Sequence, residues 1–167
     1  MTQSWDRIYT PHRLEYLRAA VTSEECPFCA APELNGSDTL DLVAHRGQLA
    51  YVVLNLYPYN AGHLLICPYR HVADYTELTN AERDEISRLT QESMHTLRAI
   101  SGAQGFNLGM NQGSISGAGI AAHLHQHVVP RWGGDANFMP IIGETKVLPQ
   151  LLTQTRDQLQ EGWISSH

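Results

Sequence analysis

Ala122-His123-Leu124-His125-Gln126-His127-Val128-Val129-Pro130-Arg131 decides how the chain is read. Three histidines alternate with Leu124 and Gln126, and two valines follow. Period two predicts a β-strand, in which every second side chain points to one face. His123, His125 and His127 then form a row, with Leu124, Gln126 and Val128 turned away. A row of imidazoles can bind a metal, shuttle protons or attack phosphorus. The plain alternatives are a purification tag or a surface strand with incidental histidines. A tag is usually terminal and unbroken. This row is internal and interrupted, which favours function.

Upstream of the row lies Gln112-Gly113-Ser114-Ile115-Ser116-Gly117-Ala118-Gly119, a Gly/Ser-rich loop. Successive backbone N–H groups of such a loop can form an anion-binding nest, and Gly117, Ala118 and Gly119 let the backbone approach a phosphate. Taken alone, a loop of this kind is more often merely flexible. Gly105 to Asn111, before it, reads as a strand. Earlier still, Thr79-Asn80-Ala81-Glu82 is a capping box. Ile86, Leu89, Ser93, Leu97 and Ile100 recur behind it at three- and four-residue steps and predict an amphipathic helix of about twenty residues. Ser101-Gly102 ends it. His95, on this helix, is given no role.

The N-terminal half reads as follows. Thr10 and Pro11 suit the start of a helix running to about Ala20. Residues 22–38 read as loop and contain Cys26-Pro27-Phe28-Cys29. Thr39 to His45 and Leu49 to Leu56 read as strands, with Arg46-Gly47 as the turn between them. His63 to Pro68 is a third strand, and Cys67 within it a small buried apolar residue. Downstream, Lys146 to Glu161 has apolar residues at helical spacing, with Pro149 in the first turn. The order of helix, strands, helix, strands, helix predicts an α+β fold, helices against a sheet made of hairpins.

Composition bounds the rest. At 167 residues, with 43% hydrophobic and 17% charged residues, the chain is expected to be one domain. Eleven basic against 17 acidic residues give a net charge of −6, which argues against a nucleic-acid or anionic-membrane surface. No run of about 18 apolar residues is present, and Met1 to Arg7 lacks the apolar core of a signal peptide. A cytoplasmic protein is expected. Three cysteines without a secretory signal do not suggest a disulfide framework.

The Cys26-x2-Cys29 pair, His71 and His123 form a candidate Cys₂His₂ set for structural zinc. The redox reading of the pair is weaker, because no helix clearly starts at Cys26 to lower its pKa. Trp132 can stack on a base, or serve as a core or interface aromatic.

His123-x-His125-x-His127 followed by two valines resembles the motif of the histidine triad superfamily. The text from His127 through Pro130-Arg131-Trp132-Gly133-Gly134-Asp135 is similar to its dinucleoside polyphosphate branch, which includes the fragile histidine triad proteins. Over most of the chain the resemblance is to actinobacterial diadenosine tetraphosphate phosphorylases. It implies an antiparallel sheet of about five strands, joined to that of a second copy in a homodimer; whether dimers pair into a tetramer is left open by the sequence. It makes His125 the nucleophile and places His127 at the phosphate oxygens and the leaving group. Gln126, on the opposite face, should not touch the phosphates.

Asn55 precedes His63 by the same spacing as a family Asn–His pair, which implies that Asn55 contacts the ribose and His63 supports the triad. A buried histidine with satisfied hydrogen bonds is the plainer reading of His63. Asn111 resembles an amide residue that contacts phosphate, a position where relatives often carry Gln. A second Gln of the fragile type is replaced here by Ala118-Gly119. Several bacterial relatives hold zinc with two cysteines, a histidine and the first triad histidine, matching Cys26, Cys29, His71 and His123.

The implied reaction is cleavage of a diadenosine polyphosphate, the tetraphosphate above all, through a nucleotidyl-histidine, with inorganic phosphate as acceptor. Mg²⁺ can accompany the substrate. Hydrolysis of the same substrate, phosphoramidate hydrolysis, zinc homeostasis, or nucleotide binding without turnover are the alternatives.

Overall fold

The structure is a computed structural model that describes residues 26–34, 41–135 and 149–166. The expected helix from Pro11 to Ala20 lies outside the described residues, as do Thr39, Leu40 and the start of the expected C-terminal helix at Lys146. The described elements are α1 (Pro27–Ala30), β1 (Val43–Arg46), β2 (Ala50–Leu54), β3 (Leu64–Pro68), α2 (Asn80–Ser101), β4 (Gly105–Met110), β5 (Gln126–Arg131) and α3 (Leu152–Glu161). Short 3₁₀ turns occupy Ala31–Glu33 and Tyr75–Glu77. No described helix is long and apolar enough to cross a membrane.

The five strands form one antiparallel sheet in the order β1-β2-β3-β5-β4. The β1–β2 hairpin turns at Gly47, whose N–H donates to the Ala50 carbonyl at 2.9 Å. A Cβ there would lie 2.6 Å from Glu85 Oε1 and 2.8 Å from the Ala50 oxygen, so only glycine fits. The Glu85 carboxylate accepts the N–H groups of Gln48 and Leu49, which ties this hairpin to α2.

α2 begins with the capping box that the sequence predicts. Thr79 accepts the Glu82 N–H, and Glu82 accepts the Thr79 N–H at 2.8 Å. Gly102 ends the helix at φ 64°, in the left-handed region. Ile86, Leu89 and Leu97 bury its apolar face against the sheet. Gln126 donates to Thr90 Oγ1 on α2 at 2.9 Å, so the α2 side of β5 carries Gln126 and Val128. His127 therefore points to the other face. Leu65 pairs with His127, and Val53 with Leu65; Tyr51 pairs with Cys67 on the same face.

Three expectations are corrected. The histidine strand begins only at Gln126, so His123 and His125 lie in the segment leading into β5. The ladder stops there because β3 ends in Pro68, while the Leu124 N–H donates instead to the Val72 carbonyl at 2.7 Å. A helical turn does start at Cys26, which is the N-cap of α1, with Pro27 at its first position. The C-terminal helix starts at Leu152, leaving Pro149 ahead of it rather than in its first turn. α3 lies along β1, where Gln160 donates to the Val43 carbonyl and Leu159 is fully buried.

Candidate active site and metal centre

Strand β3 places two groups at its two ends. His63 precedes its first residue, and the Pro68 carbonyl closes it. At the first end, the Tyr59 N–H donates to His63 Nδ1 at 3.0 Å, and Asn55 Nδ2 lies 3.3 Å from the same nitrogen. A backbone N–H can only donate, so neutral His63 carries its hydrogen at Nε2. Nε2 lies 2.9 Å from His127 Nδ1, to which it donates. Neutral His127 then carries its own hydrogen at Nε2. His127 is left as a donor, the form that hydrogen-bonds a developing oxyanion.

His125 has the opposite assignment. Its Nδ1 lies 2.9 Å from the His123 carbonyl, which can only accept. The hydrogen is therefore on Nδ1, and Nε2 carries the lone pair. Burial lowers the His125 pKa below the ordinary imidazole value, against the opposing pull of that carbonyl bond. A neutral imidazole with a free Nε2 lone pair is a nucleophile. The rings of His125 and His127 are 5.0 Å apart, edge to face.

At the other end of β3, His123 Nε2 donates to the Pro68 carbonyl at 2.9 Å. Its Nδ1 lone pair faces Cys26 Sγ at 3.4 Å and Cys29 Sγ at 3.5 Å. His71 Nδ1 lies 3.3 Å from Cys29 Sγ. All four ligand atoms fall within 4.8 Å of one another. Tetrahedral zinc with bonds of about 2.0 Å to nitrogen and 2.3 Å to sulfur implies N···S edges of about 3.5 Å, which these distances match. The Pro68 bond is the outer contact that fixes a ligating imidazole. The donor set thus fits a closed S₂N₂ metal centre.

With this geometry in place, comparisons with known proteins are informative. A HIT domain model matches residues 41–134. The chain belongs to the HIT domain family. It is 47% identical over 165 residues to AP-4-A phosphorylase of Mycobacterium tuberculosis (strain ATCC 25618 / H37Rv), spanning 94% of this chain and 84% of that protein. It is 33% identical over 93 residues to the bifunctional bis(5'-adenosyl)-triphosphatase/adenylylsulfatase FHIT of Arabidopsis thaliana, over 56% of this chain and 51% of that one. A Zn-bound histidine triad family protein from Mycobacterium smegmatis shares the fold at a TM-score of 0.66 and 22% identity, covering 83% of this chain and 92% of that chain.

The matched HIT domain holds the three triad histidines, His63 and His71, whereas Cys26 and Cys29 precede it. Asn55 Oδ1 accepts the Tyr57 N–H at 3.0 Å, and its amide nitrogen approaches His63. Asn111, Gly117, Ala118 and Gly119 lie in the segment between β4 and the triad, with Gly117 at φ 81°. That segment is anchored at Gln112, which donates to Asp74 and accepts from the Tyr75 N–H. The Trp132 indole Nε1 donates to the Ser101 carbonyl at 2.9 Å, at the C-terminal end of α2, and its ring packs on the core. The core-aromatic reading of Trp132 accounts for those contacts.

Sequence reasoning missed two aromatic residues. Phe28, between the two cysteines, packs its ring 4.9 Å from His125 and 5.6 Å from His123. Tyr59 lies 4.6 Å from His63 and 5.5 Å from His127, nearly parallel to the latter. The one available signal was aromatic residues inside two motifs already singled out, Cys-x-x-Cys and the loop before His63.

Proposed function

We propose that this chain cleaves diadenosine polyphosphates, the tetraphosphate above all, through an adenylyl group carried on His125. The observation that carries this reading is the pair of hydrogen bonds, His125 Nδ1 to the His123 carbonyl and His63 Nε2 to His127 Nδ1, from which a lone pair on His125 Nε2 and an N–H on His127 Nε2 follow. His125 Nε2 attacks the α-phosphorus of one adenosine. An N–P bond forms, the bridging P–O bond breaks, and its electron pair leaves with the ATP oxygen. That oxygen departs as an anion that accepts a hydrogen bond from His127 Nε2–H, and His63 holds the His127 ring in the orientation that donates it. Inorganic phosphate then attacks the adenylyl group, releasing ADP and restoring His125. Water in its place releases AMP.

The other assignments belong to the same reading. Asn111 and the backbone of Gly117, Ala118 and Gly119 bind phosphate oxygens. Asn55 meets the ribose. Cys26, Cys29, His71 and His123 hold zinc, whose closed coordination supplies folding rather than catalysis. The Zn-bound M. smegmatis structure supports that choice of metal. Magnesium enters only as counter-ion of the polyphosphate. We read residues 1–167 as one domain of a cytoplasmic homodimer, with outer strand β4, where Leu108 is 49% exposed, as the edge that joins two sheets.

Product analysis tests this reading. Diadenosine tetraphosphate is incubated with the protein with and without inorganic phosphate. ADP and ATP formed only with phosphate are expected. AMP and ATP without phosphate would make the enzyme a hydrolase of the same mechanism. No cleavage in either tube overturns the reading.

A further inference from the structure

One ring stands between the metal-ligand set and the candidate nucleophile. Phe28 is the third residue of Cys26-Pro27-Phe28-Cys29, so candidate ligands lie on both sides of it. Its ring meets His123 edge-on at 5.6 Å and His125 at 4.9 Å, tilted by 45°. Its carbonyl accepts the hydroxyl of buried Tyr51 at 2.6 Å. α1 has four residues, and an isolated helical turn has no stability of its own. The position of Phe28 therefore rests on the Tyr51 bond and on what holds Cys26 and Cys29 at either side of it.

His125 needs such support. It lies just ahead of the first residue of β5. The Nδ1–H bond to the His123 carbonyl holds one ring nitrogen but lets the ring pivot about it. Phe28 and His127 both pack against that ring, with centroids at 4.9 and 5.0 Å. Attack on phosphorus requires an aligned lone pair, and a displacement of about 1 Å can cost about a hundredfold in rate.

We propose that Phe28 is a positioning residue that transmits the order of the cysteine-bearing turn to the ring of His125. This rests on the reading of His125 as the nucleophile. Two routes join the ligand set to that ring. One runs along the chain through the His123 carbonyl, and the other runs through space by way of Phe28. The second makes metal occupancy and nucleophile alignment one property.

The test is a cycle of Phe28→Ala and zinc removal by EDTA on the full-length protein, with Phe28→Tyr as the conservative variant. Zinc per chain, the imidazole Nδ1–H signal of His125 in ¹⁵N–¹H spectra, and the single-turnover rate of adenylyl transfer are measured. Phe28→Ala is expected to keep its zinc and yet broaden the His125 signal and slow transfer by about ten- to a hundredfold. Phe28→Tyr restores both. EDTA should act on the parent by a similar factor and add less than about threefold in Phe28→Ala, because both remove the same contact.

A sharp signal and parental rate in zinc-loaded Phe28→Ala overturn the proposal. So does an equal effect of EDTA on parent and variant, which would assign the coupling to His123 alone. Should stripping unfold the protein, the zinc-loaded Ala and Tyr variants decide. The spectra need no substrate, so they also decide if no dinucleotide is cleaved and the functional reading itself fails.

Discussion

His63 Nε2 and His127 Nδ1 are 2.9 Å apart, and the direction of their hydrogen bond is set by the Tyr59 N–H on the far side of His63. A main-chain donor thus fixes which nitrogen of the third triad histidine carries a hydrogen. His125 is fixed in the opposite sense by the main-chain carbonyl of His123. Both tautomers follow from backbone groups, which do not titrate.

Replacing His125 by Asn removes the proposed nucleophile. Turnover should fall by at least about a thousandfold while AMP binding persists. Steady-state kinetics and calorimetry with AMP check this. Retained turnover in the variant would assign the covalent step to another residue.

His63→Ala leaves the His127 ring without its partner. The expected loss is about ten- to a hundredfold in kcat with little change in KM, since ground-state contacts to the nucleotide remain. A rise in KM alone would make His63 part of the binding surface instead.

Removing zinc with a chelator, or Cys29→Ser, should lower the thermal midpoint. At zinc a hundredfold above its Kd the bound ion contributes about 3 kcal/mol, or roughly 6–10 °C for a domain of this size. Differential scanning calorimetry with and without zinc reads this directly. Identical midpoints would remove the metal from the folding argument.

Glu82 has a pH dependence of definite sign. The Arg70 guanidinium, at 2.8 Å, and the Thr79 groups hold its carboxyl down to about 2 from an ordinary 4.5. A depressed pKa stabilises the fold above the ordinary value, and the gain is lost as pH falls from 4.5 toward 2. The difference in thermal midpoint between the parent and Glu82→Gln should therefore be full at pH 7 and shrink over that window. A difference independent of pH there would contradict this.

Trp132→Phe deletes the hydrogen bond to the Ser101 carbonyl while keeping an aromatic ring. We expect a loss of about 1 kcal/mol in urea unfolding and an unchanged KM. A tenfold rise in KM would assign Trp132 a part in nucleotide binding.

The helix after Thr79 was legible because its signals are local: a capping box, a periodic apolar face and Gly102. The hairpin strands were legible for the same reason. The extent of the histidine strand was not, because alternation reports which way side chains point and not whether hydrogen-bond partners exist. Pro68 and Val72 decide that, and both are more than fifty residues from the row. α1 is a single turn, too short to show a period. The ligand set was legible as a residue inventory, yet the bridge from Phe28 to His125 joins residues 97 apart, and neither chemistry nor spacing announces such a packing contact.

β3 has a final consequence. Its five residues separate the anchor of one imidazole pair from the carbonyl that orients the metal-facing ring, at about 3.3 Å per residue. The strand is a ruler as well as a piece of core. Any apolar side chain of suitable volume can be exchanged along it. Deleting one residue, however, would turn the pleat over and pull both anchors out of step at once. Insertions and deletions in this fold should therefore be excluded from β3.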